Sequence, residues 1–169
     1  MNTLFIIFYI FLIFQRQIEL FVAKRNEQIV RKEGAVEYDR EGYKYIVLLH
    51  AGFFISFLVE KIILNRDLNR YSVILFAVFI ITQLIRYWAI ASLGKYWNTR
   101  ILVVPGLNLV TNGPYKYIRH PNYIAVIIEI AVIPLIFSCY ITAIVFSILN
   151  LVTLRRRISI EENALKLLK

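Results

Sequence analysis

Two polar stretches of a largely apolar chain of 169 residues carry the side chains able to do chemistry. The first runs from Gly94 to Tyr123 and holds Arg100, Tyr115, Arg119 and His120 together with three of the four prolines. Ile101 to Val104 has the β-branched character of a short extended stretch, and Gly113-Pro114 marks a turn. His120 stands just before Pro121, a residue suited to the first turn of a helix. The second stretch is Arg155-Arg156-Arg157-Ile158-Ser159-Ile160-Glu161-Glu162. On a helix Arg157 and Glu161 lie four apart on one face, where they can pair or point together at a zwitterion. The plainer reading of this segment is a basic membrane border followed by an interfacial helix, and a lone His such as His120 is more often structural than catalytic.

The elements that hold these stretches follow from composition. Hydrophobic residues make up 59% of the chain, charged residues 18%, and mean hydropathy is +0.64. Ordinary soluble domains are about 45–50% apolar and about 25% charged, so disordered, collagen-like and secreted-scaffold classes are excluded and an integral membrane protein remains. One Cys cannot close an intramolecular disulfide, and two His with it are too few for a structural zinc site, so no metal is expected. A net charge of +9 reports topology in a membrane protein rather than a nucleic-acid partner.

The pattern predicts one all-α membrane domain over 1–169, with about five transmembrane helices near 1–23, 43–64, 71–93, 121–137 and 140–155. A loop over 94–122 and a C-terminal helix over 156–169 carry the two polar stretches. Gln15, Arg16 and Glu19 interrupt the first span, which is either short or continues as an amphipathic helix; it lacks the flanks of a cleavable signal and reads as a retained anchor. Residues 34–42 read as a loop between helices. The last two spans are short and nearly contiguous, as in a tight hairpin or tilted pair. Segments 15–44, 94–122 and 155–169 contain 16 of the 20 Lys and Arg residues, which places them in the cytosol and the N-terminus outside. Glu60, Arg86 and Glu129 fall inside spans, where buried pairing is the expected state, and His50 reads as a packed polar residue.

Together the two stretches resemble a known family. Leu109-Val110-Thr111-x-Gly113-Pro114-Tyr115-x-Tyr117-x-Arg119-His120-Pro121-x-Tyr123, followed after about 33 residues by Arg157-x-x-x-Glu161-Glu162-x-x-Leu165, is similar to the isoprenylcysteine carboxyl methyltransferase family from about Arg86 to Leu165. The resemblance implies a polytopic enzyme that binds S-adenosyl-L-methionine on the cytosolic side and methylates an oxygen of a lipidic acceptor from the bilayer. It places Arg100, Leu107, Asn108, Leu109, Val110, Tyr115, His120, Pro121, Asn122, Tyr123 and Glu161 at the cofactor and Arg157 at the acceptor. The chemistry agrees, since Glu161 can meet the amine of that cofactor, His120 or Arg100 its carboxylate, and Tyr115 or Tyr123 its adenine or cationic sulfur.

Ala125 stands where the family often has Gly, and the chain ends at Lys169, where prenylcysteine-type members continue with an aromatic and proline-containing tail. Trp97 to Ile101, Val104 to Gly106 and Arg25-Asn26 are more like the small bacterial members. That likeness favours the hydroxyl of a long-chain alkylpyrone or alkylresorcinol over a prenylcysteine carboxylate as acceptor, in a bacterial cytoplasmic membrane. Two other readings are a membrane reductase of the sterol-reductase type and a non-catalytic scaffold or transport subunit. Gly94, Gly106 and Gly113 lack the Gly-x-Gly-x-x-Gly spacing of a soluble dinucleotide site, and cofactor binding separates all three readings.

Overall fold

The apolar stretches fold as helices because a backbone in lipid must satisfy its own hydrogen bonds. A computed structural model describes residues 3–166. Its five helices are α1 (Thr3–Lys32), α2 (Gly42–Ile63), α3 (Ser72–Leu93), α4 (Pro121–Ile136) and α5 (Tyr140–Lys166). Two three-residue strands, β1 (Val36–Tyr38) and β2 (Ile101–Val103), pair antiparallel with Glu37 opposite Leu102. The chain is mostly helical, and α1, α2 and α3 together with the 3-10 turn that follows it (Ser72–Tyr96) are long and apolar enough to cross a membrane. Pro121–Ile136 is apolar but shorter.

Three boundaries differ from the sequence expectation. First, α1 does not stop near residue 23 but runs on to Lys32. Its Gln15 and Glu19 are turned toward polar partners on α3, and Arg16 pairs with Glu19, rather than being left in lipid. Second, the 34–42 loop contains β1, a strand whose partner lies far along the chain. Third, the 140–155 span and the C-terminal helix are one unbroken α5, with no Pro or Gly between Tyr140 and Lys166. Residues 1–2 of the first expected span and 167–169 of the C-terminal helix lie outside the described residues.

The helices close around an aromatic core. Phe5 meets Phe57 and Phe137 edge-on at 5.2 and 5.1 Å, and Phe8 meets Phe79 edge-on at 5.3 Å, which ties α1 to α2, α3 and the α4–α5 turn. Ring edges directed at ring faces give such pairs a geometric preference that aliphatic contacts lack. The outward faces stay apolar, with Ile7, Phe14 and Phe21 of α1 and Leu48, Ile55 and Ile62 of α2 exposed at intervals of seven, as lipid contact requires.

Arg86 and the carboxylates within the bundle are engaged. Arg86 donates Nε to Glu129 at 2.8 Å, makes a second bond to the same carboxylate through Nη2, and reaches Glu19 through Nη1 at 3.3 Å. Gln83 joins Glu129 at 3.0 Å, and Gln15 joins Gln83 at 2.7 Å. Pairing thus holds for Arg86 and Glu129, whereas Glu60 has another task. Its carboxylate accepts the backbone N–H groups of Ile141 and Thr142 at 3.1 and 2.7 Å and the Thr142 hydroxyl at 2.7 Å. It therefore satisfies orphan donors at the start of α5, with Arg66 no nearer than 4.0 Å. At the same turn Ser138 adopts φ 55°, which reverses the chain between α4 and α5.

Candidate functional site

The polar loop is fastened to the end of the bundle by side chains that satisfy its backbone. Asn26, buried on α1, donates to the carbonyls of Gly94 and Trp97 at 3.1 and 2.8 Å, and Asn98 returns a bond to the Ala23 carbonyl at 3.1 Å. The extension of α1 beyond residue 23 is thus the clamp for the start of the loop. Further on, Gly113 adopts φ +59° with its Cα pressed against α3, where a Cβ would stand 2.0 Å from Ser92 Oγ. Only Gly fits both the backbone conformation and the space.

The β-ribbon forms a second anchor. Ile101 and Val103 bury themselves against Ala164, with Tyr38, Ile160 and Leu165 packed around them, so the C-terminal turns of α5 rest on the ribbon. Arg156 donates to Asp39 at 2.9 Å beside it. Arg100 projects from the start of the ribbon and is ion-paired, to Glu37 at 2.5 Å and Glu27 at 3.4 Å, with its guanidinium 4.2 Å from the Tyr43 ring centroid. Burial by itself would raise the Glu37 carboxyl, but hydrogen bonds from Arg31 and Arg100 outweigh it and hold the group below its ordinary value.

Between loop, ribbon and α5 lies a cavity of about 740 Å³. Small-molecule sites commonly fall between about 300 and 1,000 Å³. Arg100, Leu107, Asn108, Leu109, Val110, Tyr115, His120, Asn122, Tyr123, Arg157 and Glu161 all line it, so the structure brings nearly every residue singled out in the sequence to one place. Pro121 is the exception. It is fully buried at the first position of α4 and shapes the wall without facing the space. Tyr96, Trp97, Thr111, Glu162 and Leu165 line it too. Trp97 is 2% exposed, and its Nε1, like Asn122 Oδ1, is buried without a hydrogen-bond partner.

Arg157 and Glu161 share a face of α5 as the spacing predicts, yet they are joined through a third residue. The Tyr123 hydroxyl, presented by the first turn of α4, donates to Glu161 Oε2 and accepts from Arg157 Nε at 3.0 Å. Arg157 also donates Nη2 to the Thr99 carbonyl at 2.6 Å, so its guanidinium spans α4 and the loop. The His120 ring stacks on Tyr123 at 5.3 Å between centroids, with Nε2 3.4 Å from Glu162 Oε1. Tyr115 faces the same space, and burial, helped by the charge of Glu161, pushes its phenol above the ordinary range, so it stays protonated. Carboxylates held by side-chain partners, a buried guanidinium and aromatic faces around one apolar hollow suit a ligand that carries both charges and a flat ring. Among the described residues no cluster of His, Cys, Asp and Glu is arranged for a metal ion.

Residues 73–167 match the isoprenylcysteine carboxyl methyltransferase (ICMT) family. The chain is 48% identical over 155 residues to an uncharacterized protein, YpbQ, of Bacillus subtilis strain 168, covering 92% of each. It is 28% identical over 147 residues to an uncharacterized protein of Haemophilus influenzae, covering 86% of each. No solved structure matches.

Proposed function

The chain belongs to the isoprenylcysteine carboxyl methyltransferase family, and from that premise we propose that it uses S-adenosyl-L-methionine to methylate an oxygen on a lipidic acceptor drawn from the membrane. The observation that carries this reading is the convergence of the 100–123 residues with Arg157 and Glu161 on one cavity at the end of an apolar bundle. The donor set fits such a cofactor. Glu161 offers a carboxylate to its amine, and the His120–Tyr123 stack offers a flat aromatic face. His120 is the better partner than Arg100 for the carboxylate, because Arg100 is already committed to Glu37 and Glu27. Leu107, Leu109 and Val110 supply apolar wall.

Bound there, the cofactor supplies an electrophilic methyl on a cationic sulfur. The chain's own work is to bind, orient and exclude water. Arg157, a guanidinium, acts as an orienting cation for an anionic oxygen and not as a base. Its fixed place between Tyr123 and Thr99 defines where that oxygen sits, and positioning of this kind is the main source of rate in a direct transfer. Among acceptors, a ring hydroxyl of an alkylpyrone or alkylresorcinol type is favoured over a prenylcysteine carboxylate, on the likeness to the small bacterial members of the family. Purified protein incubated with labelled S-adenosylmethionine and a lipid extract tests the whole reading. A labelled lipid soluble product supports it, and its structure names the acceptor, whereas absence of cofactor binding overturns it.

His120→Ala and Glu161→Ala are expected to weaken cofactor binding, because each removes a partner of a charged ligand group in a dry pocket. The loss of one such bond is worth about 1.5–3 kcal/mol, or roughly 10- to 150-fold in affinity by calorimetry. Unchanged affinity in both folded variants would return these residues to a structural role.

The site end of the bundle is proposed to face the cytosol, since the basic segments cluster there. In a Cys139→Ala background, cysteines introduced at Lys95 and at Lys166 should react with an impermeant reagent only from the cytosolic side. Labelling of either from outside would overturn that orientation.

A further inference from the structure

A second, smaller recess of about 50 Å³ lies within the bundle, and no residue lines both it and the large cavity. Arg16 of α1, His50 of α2, Arg86 of α3 and Glu129 of α4 bound it. His50 and Glu129 each stand eight residues inside the site ends of their helices, a depth of about 12 Å at about 1.5 Å per residue. The recess therefore lies deeper than Tyr123, in the apolar part of the fold.

Most polar groups there are spent on one another, but three are not. Arg16 uses only Nη1, on Glu19 at 3.1 Å, which leaves Nε and Nη2 without a hydrogen-bond partner among the described residues. His50 uses Nδ1 on the Ile46 carbonyl at 2.9 Å, which leaves Nε2. Gln15 Oε1 is buried with no partner. These three residues are half-buried while Glu19, Arg86 and Glu129 are buried, so the recess opens on the side where the unspent groups stand, between α1 and α2. Lipid tails cannot satisfy them, and an unmade bond in such surroundings is costly.

Charge narrows the occupant. Arg16 and Arg86 balance Glu19 and Glu129, so an ionic guest would leave a net charge in the bundle, whereas an uncharged group with lone pairs and a proton leaves none. Size narrows it again, since about 50 Å³ admits a hydroxyl, a carbonyl or a water but no ring. We propose that this recess binds the uncharged hydroxyl or carbonyl group of a membrane amphiphile entering between α1 and α2, held by Arg16 and His50 beside the Gln15 carbonyl.

The test uses the full chain in phosphatidylcholine nanodiscs without methyl donor, so its failure leaves the transferase reading standing. The probe is hexadecanol carrying a diazirine beside its hydroxyl, and labelled peptides are located by mass spectrometry. Labelling around Arg16 and His50 should be displaced by plain hexadecanol and not by hexadecane. It should fall at least about 5-fold in Arg16→Met and in His50→Phe, the loss of one hydrogen bond to the probe. Should Arg16→Met fail to fold, His50→Phe on the other helix decides alone. Equal displacement by hexadecane, or undiminished labelling in the folded variants, would overturn the proposal and leave the recess to water.

Discussion

Arg157→Lys is expected to lower methyl transfer by about 100-fold while cofactor affinity changes by only a few fold. The guanidinium holds two fixed partners on different elements, the Tyr123 hydroxyl at 3.0 Å through Nε and the Thr99 carbonyl at 2.6 Å through Nη2. An ammonium keeps the charge but is a single point on a flexible stem, so it cannot hold both partners and still present a defined face to an acceptor oxygen. Misplacement of a reacting group by about 1 Å can cost about 100-fold, and it acts on the transition state rather than on the bound cofactor. Transfer rate and cofactor affinity measured on one nanodisc preparation separate the two effects. A membrane-border cation would tolerate Lys, so near-wild-type turnover would remove Arg157 from the site.

Arg86→Met should destabilise the bundle by about 3–5 kcal/mol, the usual cost of leaving a buried charge without its partner. Glu129 is paired with this guanidinium, Glu19 shares it with Arg16, and Glu19, Arg86 and Glu129 are all at least nine-tenths buried. Adding Glu129→Gln to Arg86→Met should recover part of that loss, because an amide needs no counter-charge and can still bond Gln83. Unfolding by denaturant titration of wild type, both single variants and the double variant gives the coupling between the two positions. If Arg86→Met and Glu129→Gln add without coupling, the contact is not what holds the helices in register.

How far the sequence reveals this molecule depends on the range of the interaction. Helices α2 and α3 are legible because apolar composition over a full span is a local property, and their observed starts and ends lie within a residue or two of the expected ones. The end of α1 is not, because Gln15, Arg16 and Glu19 look like an interruption until Gln83 and Arg86 are known to face Gln15 and Glu19. Strand β1 is invisible for the same reason. Val36 to Tyr38 is extended only because Ile101 to Val103 lies alongside, some 65 positions later. At the site, the resemblance to the family singles out Arg157, Glu161, His120 and Tyr123, and helical periodicity places the first two on one face. Periodicity does not say that a tyrosine from α4 enters between them. That arrangement requires the packing of α4 against α5, in which Glu60 fixes the turn between the two helices.

The continuity of α5 has a mechanical side. The same helix that lines the cavity with Arg157 and Glu161 begins at the opposite end of the bundle, and α4, its hairpin partner, has only 16 residues. At about 1.5 Å per residue α4 measures about 24 Å, against a hydrocarbon thickness of about 30 Å. Were α4 to cross the bilayer, that mismatch would be met by thinning the lipid around it or by a more upright α4. Because α5 is a rigid rod, a change in tilt at the Ser138 turn carries through to Arg157 and shifts it against Tyr123 on α4. Bilayer thickness thereby becomes an input to the geometry of the site, and transfer rates should peak in lipids of a particular acyl-chain length.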